Sequence, residues 1–143
     1  MIYLDTSVLA PLYWAEALSH AIEVLLQRES EPAVSQLVEV ELVSALARRV
    51  RMTEISLVEA RTIADRFQTD LDSGFYTRLT LEAVHYNMAR DWLNRFETPL
   101  RTLDALHLAV AASNAIPLIT ADERLAESAQ ALGIDVQILR PFI

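Results

Sequence analysis

The stretch Met1-Ile2-Tyr3-Leu4-Asp5-Thr6-Ser7 opens the chain with a short apolar run that ends on an aspartate. A second run, Pro117-Leu118-Ile119-Thr120-Ala121, also leads into one, Asp122. Both runs are strand-length, and an aspartate directly after a strand lies at the carboxyl edge of a sheet. That edge is the usual ligand crevice of an open α/β fold. Acids gathered there repel one another unless protonated or neutralised by a cation. Hard oxygen ligands in a chain without cysteine point to Mg²⁺ or Mn²⁺.

Working outward from these runs, strands alternate with helices. A strand over 2–5 leads into a short turn of helix that Pro11 interrupts. A helix over 16–29 carries Leu18, Ile22, Leu25 and Leu26 on one side. A strand over 33–35 precedes helices over 36–51 and 56–72, the second introduced by Ser56. The apolar–polar alternation of 75–79 reads as a strand. Helices over 82–96 and 103–115, a strand over 117–120, a helix over 122–132 and a strand over 136–139 complete the pattern. Such alternation predicts an α/β fold with a mainly parallel sheet covered on both faces. The only glycines, Gly74 and Gly133, follow helical segments as C′ residues. Their scarcity excludes a P-loop and a Rossmann glycine fingerprint.

At 143 residues the chain fits a single domain, 1–143, able to bury a core without a disulfide or structural metal. No secretory leader and no run approaching a membrane span is visible, so a soluble, cytoplasmic protein is expected. The formal charge of −8 argues against broad nonspecific binding to nucleic acid, whose affinity comes largely from phosphate neutralisation. All 12 basic residues are arginine. Arg48, Arg49 and Arg51 form the densest cluster, near the end of one helix. They either complement that helix's C-terminal dipole or form a local patch suited to phosphate.

Four acids stand out: Asp5, Glu41, Asp104 and Asp122. Each aspartate has two readings, as a ligand or as a residue serving a helix N-terminus. Glu41 has fewer structural explanations. Its i±4 neighbours, Leu37 and Ala45, turn it inward, whereas Glu39 has Ser35 and Val43 and is the better solvent-facing candidate. An inward carboxylate needs an arginine partner or a cation. His107, one turn after Asp104, is a general base, a ligand or a hydrogen-bonded core residue. His20 and His85 show no partner spacing. There is no G-x-S-x-G and no H-E-x-x-H.

Four segments, in order, carry a family resemblance: Asp5-Thr6-Ser7, Ser35 with Glu41, Leu103-Asp104-Ala105-Leu106-His107-Leu108-Ala109, and Thr120-Ala121-Asp122-Glu123-Arg124-Leu125. Together they resemble PIN domains, and within that group the VapC toxins of type II toxin–antitoxin modules. The resemblance implies a three-layer α/β/α sandwich on a short, mainly parallel, five-stranded sheet. It also implies a Mg²⁺-dependent endoribonuclease, usually homodimeric, neutralised by a VapB-like antitoxin. Asp5 and Asp104 would be primary metal ligands, with Glu41 and Asp122 completing the shell. Thr6, Ser7 and Thr120 would orient carboxylates or waters behind them. Two other readings stay open: a catalytically inert PIN-like interaction module, and a haloacid dehalogenase-like phosphatase. The latter lacks its usual second aspartate, because Ser7 stands there, and has no lysine.

Overall fold

Strand β1 (Ile2–Leu4) is buried along its whole length, as are β2 (Pro32–Ser35) and β4 (Leu118–Thr120) on either side of it. Beyond them lie β3 (Thr77–Leu79) next to β2 and β5 (Val136–Ile138) next to β4. All four pairings in this five-stranded sheet are parallel, with Tyr3 opposite both Ala33 and Leu118. Burial of the three central strands explains why their sequences are apolar throughout rather than alternating. The computed structural model describes residues 1–29 and 31–142.

The chain runs from β1 outward to β2 and β3, then crosses back to β4 on the far side of β1 and on to β5. The strand order therefore reverses between β1 and β4, where open α/β sheets form their ligand crevice. Asp5 and Thr120 lie at the carboxyl ends of these two strands.

Among the described residues, seven helices cover the sheet. Helix α1 (Thr6–Leu9) is a single turn that passes into a 3₁₀ turn at Ala10–Leu12, with Pro11 early in that turn. Helix α2 (Ser19–Arg28) begins later than its apolar pattern suggests. Ser19 Oγ accepts from the Glu16 amide and donates to the Pro11 carbonyl, which keeps the intervening residues in a turn. Helices α3 (Gln36–Arg51) and α4 (Leu57–Asp72) start at Ser35 and Ser56, whose hydroxyls accept from Val38 and Glu59 amides. Helix α4 ends as expected at Gly74, whose φ of +78° suits glycine.

Strand β3 starts two residues later than the 75–79 alternation predicts. Tyr76 packs into the core while Phe75 remains exposed, and pairing begins only at Thr77. Helices α5 (Ala83–Leu93) and α7 (Glu123–Ala131) fall inside the expected segments, α5 ending three residues early, while α6 (Thr102–Ser113) starts one residue before and ends two before the expected bounds. The core gathers Tyr3, Leu4, Leu9, Ile22, Leu42, Leu108, Leu118 and Ile119 around the central strands. Burying each large aliphatic side chain contributes about 1.5–3 kcal/mol.

Candidate metal-binding site

Asp5 occupies the N-cap position of α1, yet its side chain makes no capping bond. Instead Oδ1 accepts from Ser7 Oγ at 2.5 Å, and Oδ2 accepts from Thr120 Oγ1. The two hydroxyls are themselves oriented: Ser7 Oγ accepts from the Ala121 amide and Thr120 Oγ1 from the Asp122 amide. Their hydrogens are thus left for Asp5. The carboxyl is only 4% exposed, and burial pushes its pKa up, opposed by the Ser7 and Thr120 hydrogen bonds and by the nearby His107. A buried acid in this condition favours a proton or a neighbouring cation.

Asp122 caps α7: its Oδ1 accepts from the amides of Arg124 and Leu125 at 2.9 and 3.2 Å. Asp104, in the first turn of α6, accepts the Arg101 amide on Oδ2 at 3.3 Å. Both aspartates therefore serve helix N-termini, as the sequence allowed. Each still has one carboxylate oxygen with no hydrogen-bond donor among the described residues.

Glu41 is reached from α1 and α6. Thr6 Oγ1 donates to its Oε1 at 3.1 Å, and His107 Nε2 lies 2.6 Å from the same oxygen. The partner expected from the sequence was an arginine or a cation; the protein partner is a histidine. His107 is 4% exposed, and its Nδ1 lies 2.8 Å from the Tyr3 hydroxyl. The Tyr3 hydroxyl in turn lies 2.7 Å from Ser35 Oγ. Both ring nitrogens are thus engaged with protein groups. His107 is a hydrogen-bonded buried residue and offers no free nitrogen to a substrate. Burial, chiefly, also raises the Tyr3 pKa, so its hydroxyl keeps its proton.

The expected solvent-facing role of Glu39 needs correction. Its side chain is 17% exposed, less than the 25% of Glu41, because it forms a two-point ion pair with Arg78 on β3. The i±4 pattern within α3 could not reveal a partner arriving from an edge strand.

Hydroxyl bridges join Asp5 to Thr120 and hence to the start of Asp122, while Glu41 is joined to α6 through His107. Among the described residues, no three acidic or histidine side chains are drawn together tightly enough to form a ready-made metal cage. The residue types would nevertheless suit a hard divalent ion: all four are carboxylates, and among the described residues one oxygen each of Glu41, Asp104 and Asp122 has no hydrogen-bond donor. The arginine cluster is divided. Arg48 and Arg51 are exposed, whereas Arg49 stacks on Trp14 at 5.1 Å and pairs with Glu54 at 3.3 Å. Tyr3 escaped sequence reasoning, although its position two residues before Asp5 on one strand face was a usable signal.

The chain belongs to the PIN domain family, which it matches over residues 2–130. No curated protein matches it significantly. Among solved structures it is similar to VapC20 of Mycobacterium tuberculosis, described as a sarcin-ricin loop cleaving toxin. The two share 21% identity and a TM-score of 0.71, over 90% of this chain and 95% of that one. FitAcB of Neisseria gonorrhoeae aligns with 17% identity and a TM-score of 0.71 over 95% and 96% of the two chains. DNA-bound VapBC of Salmonella typhimurium aligns with 21% identity and a TM-score of 0.66 over 96% and 98%. These likenesses establish the shared fold. No helix among the described residues is long and apolar enough to cross a membrane.

Proposed function

We propose that this chain, as one PIN-like domain, is a divalent-metal-dependent endoribonuclease and the toxin of a type II toxin–antitoxin pair. The observation that carries the reading is the buried Asp5 carboxyl, clasped by hydroxyls at the point where strand order reverses. Asp5 and Asp104 are the primary ligands for Mg²⁺, or Mn²⁺ in its place, and Glu41 and Asp122 complete the set. Bound there, the ion supplies Lewis-acid stabilisation of phosphate charge and lowers the pKa of water. The protein's own part is positional. Ser7 and Thr120 fix Asp5, the helix N-termini fix Asp104 and Asp122, and Thr6 and His107 fix Glu41. The Ser7 and Thr120 hydroxyls are both committed to Asp5, which fits hydrolysis by water rather than by a side-chain nucleophile. Arg48 and Arg51 lie free to meet RNA phosphates, with Arg49 held behind them.

Exposed Val40 and Val43 on α3 and Leu57 and Val58 on α4 leave apolar surface that an isolated domain does not need. This supports a VapB-like antitoxin and a homodimer as partners. The antitoxin is expected to place an arginine or lysine against Asp5 and Asp104, competing with the metal for the same carboxylates. The test is incubation of purified protein with total RNA and Mg²⁺, followed by mapping of cleavage ends. Cleavage lost on chelation supports the reading. An inert protein would reduce it to an interaction module, and phosphate release from monoesters alone would favour a phosphatase.

A further inference from the structure

Ser35, Tyr3, His107 and Glu41 form one continuous chain of hydrogen bonds, at 2.7, 2.8 and 2.6 Å in turn. A carboxylate only accepts, so His107 Nε2 donates to Glu41. In the neutral ring Nδ1 accepts from the Tyr3 hydroxyl, which then accepts from Ser35. Ser35 accepts in turn from the Val38 amide at the start of α3. The path therefore leaves α3 at its N-cap, crosses β1 and α6, and returns to α3 at Glu41.

Each element on this path carries or leads directly into one of the candidate ligands. Tyr3 stands two residues before Asp5, His107 stands one turn after Asp104, and Glu41 shares α3 with Ser35. A free glutamate side chain has rotamer freedom that must be given up when it is held in one orientation. Here that freedom is removed by two donors on Oε1, from Thr6 and His107, while Oε2 has no donor among the described residues. Tyr3, fully buried in the central strand, sets the ring orientation of His107.

We propose that Tyr3 and His107 are positioning residues that hold Glu41 with Oε2 open for a divalent cation. The role rests on the nuclease reading above, but it concerns the alignment of one ligand rather than the reaction itself. Neither residue touches substrate.

The test uses the full chain with Tyr3→Phe, His107→Gln and His107→Leu. Three quantities are read: Mn²⁺ affinity by calorimetry, RNA cleavage as kcat and KM, and thermal stability in chelator. Tyr3→Phe and His107→Leu are each expected to weaken Mn²⁺ binding and kcat by about ten- to a hundred-fold, the usual effect of removing a group behind a ligand. KM should stay near the wild-type value. His107→Gln, which restores a donor towards Glu41, should recover most of both. Wild-type Mn²⁺ affinity and kcat in Tyr3→Phe, even with lowered stability, would reduce the network to core packing. A failure of His107→Leu to fold leaves Tyr3→Phe and His107→Gln to decide. If the wild-type chain binds Mn²⁺ but cuts no RNA, the affinity series still decides the positioning role. If it binds no Mn²⁺, both the role and the nuclease reading fall.

Discussion

His107 Nε2 lies 2.6 Å from Glu41 Oε1, and through this bond the helix bearing Asp104 is fastened to the helix bearing Glu41. The two acids are 63 residues apart in sequence, by their positions, and one buried ring ties the helices that carry them.

Asp5→Asn and Asp104→Asn are each expected to abolish RNA cleavage with the fold retained, since the amide keeps shape without the charge that holds a cation. Their effects on metal-free stability should differ. Burial raises the Asp5 pKa above the ordinary 3.8, so the folded state holds its proton more tightly than the unfolded chain. Between the ordinary and the raised value, metal-free stability must fall as pH rises. Asp5→Asn should remove that slope and melt higher at neutral pH. Melting curves in chelator across the acidic range check this; a variant with the wild-type slope would exonerate Asp5.

Glu41→Gln should lower cleavage by orders of magnitude, because the neutral amide is a poorer cation ligand. Glu39→Gln should instead act on stability, costing at most about 1 kcal/mol because Arg78 is half-exposed and its ion pair is screened. Its cleavage rate should match the wild type. Urea unfolding alongside RNA cleavage separates the two, and a catalytic defect confined to Glu39→Gln would reverse the assignment.

Arg48→Gln with Arg51→Gln should flatten the salt dependence of RNA binding by about 0.7 per arginine in log–log slope, the single-strand value. Arg49→Gln should cost about 0.5–1 kcal/mol of stability through loss of its stack on Trp14. An unchanged slope in the double variant would show that these side chains serve only the end of α3.

Alkaline pH should destabilise the fold in a specific way. Burial, chiefly, raises the pKa values of Tyr3, Tyr13 and Tyr76 well above 10.0, with Tyr13 and Tyr76 also bonded to each other and Tyr13 to Asp70. Their stabilising contribution is complete below the unfolded value. It is lost as pH rises through the folded values, because the unfolded chain releases protons first. Stability should therefore drop above pH 10.0 with a ceiling of three protons per molecule, reduced by one in Tyr13→Phe. Denaturant titrations at alkaline pH measure that proton count, and a Tyr13→Phe slope equal to the wild type would contradict it.

The strand–helix order was legible because each central strand is a short apolar run followed by a capping residue, and each long helix has its stripe. The places of the four candidate acids were legible in part: three follow strands or open helices as expected, while Glu41 lies on the half-buried row of Leu37 and Ala45, beside the buried row of Val38, Leu42 and Leu46. What the sequence concealed were contacts between elements distant along the chain. Arg78 reaches Glu39 from an edge strand, Tyr3 reaches His107 across the core, and Arg49 turns back onto Trp14. Periodicity reports which face of an element is buried. It carries no information about which polar group waits on the other side. The late start of α2 has a similar origin, since Ser19 bonds the Pro11 carbonyl instead of letting the helix begin at 16.

Thr120 donates to Asp5 across 115 residues of sequence. A chain made from its N-terminus at about 5–20 residues per second exposes Asp5 roughly 6–23 s before its hydroxyl partner exists. Until then β1 has only its β2 side to pair with, and the acid lacks both the Ile119 carbonyl that receives its amide and the threonine that orders its carboxyl. The ordered setting of Asp5 is thus a late product of biosynthesis. A nascent chain that stops before residue 118 already carries Asp5, Glu41 and Asp104 but none of the β4 groups that order the first of them, so the setting of that carboxyl is timed by translation.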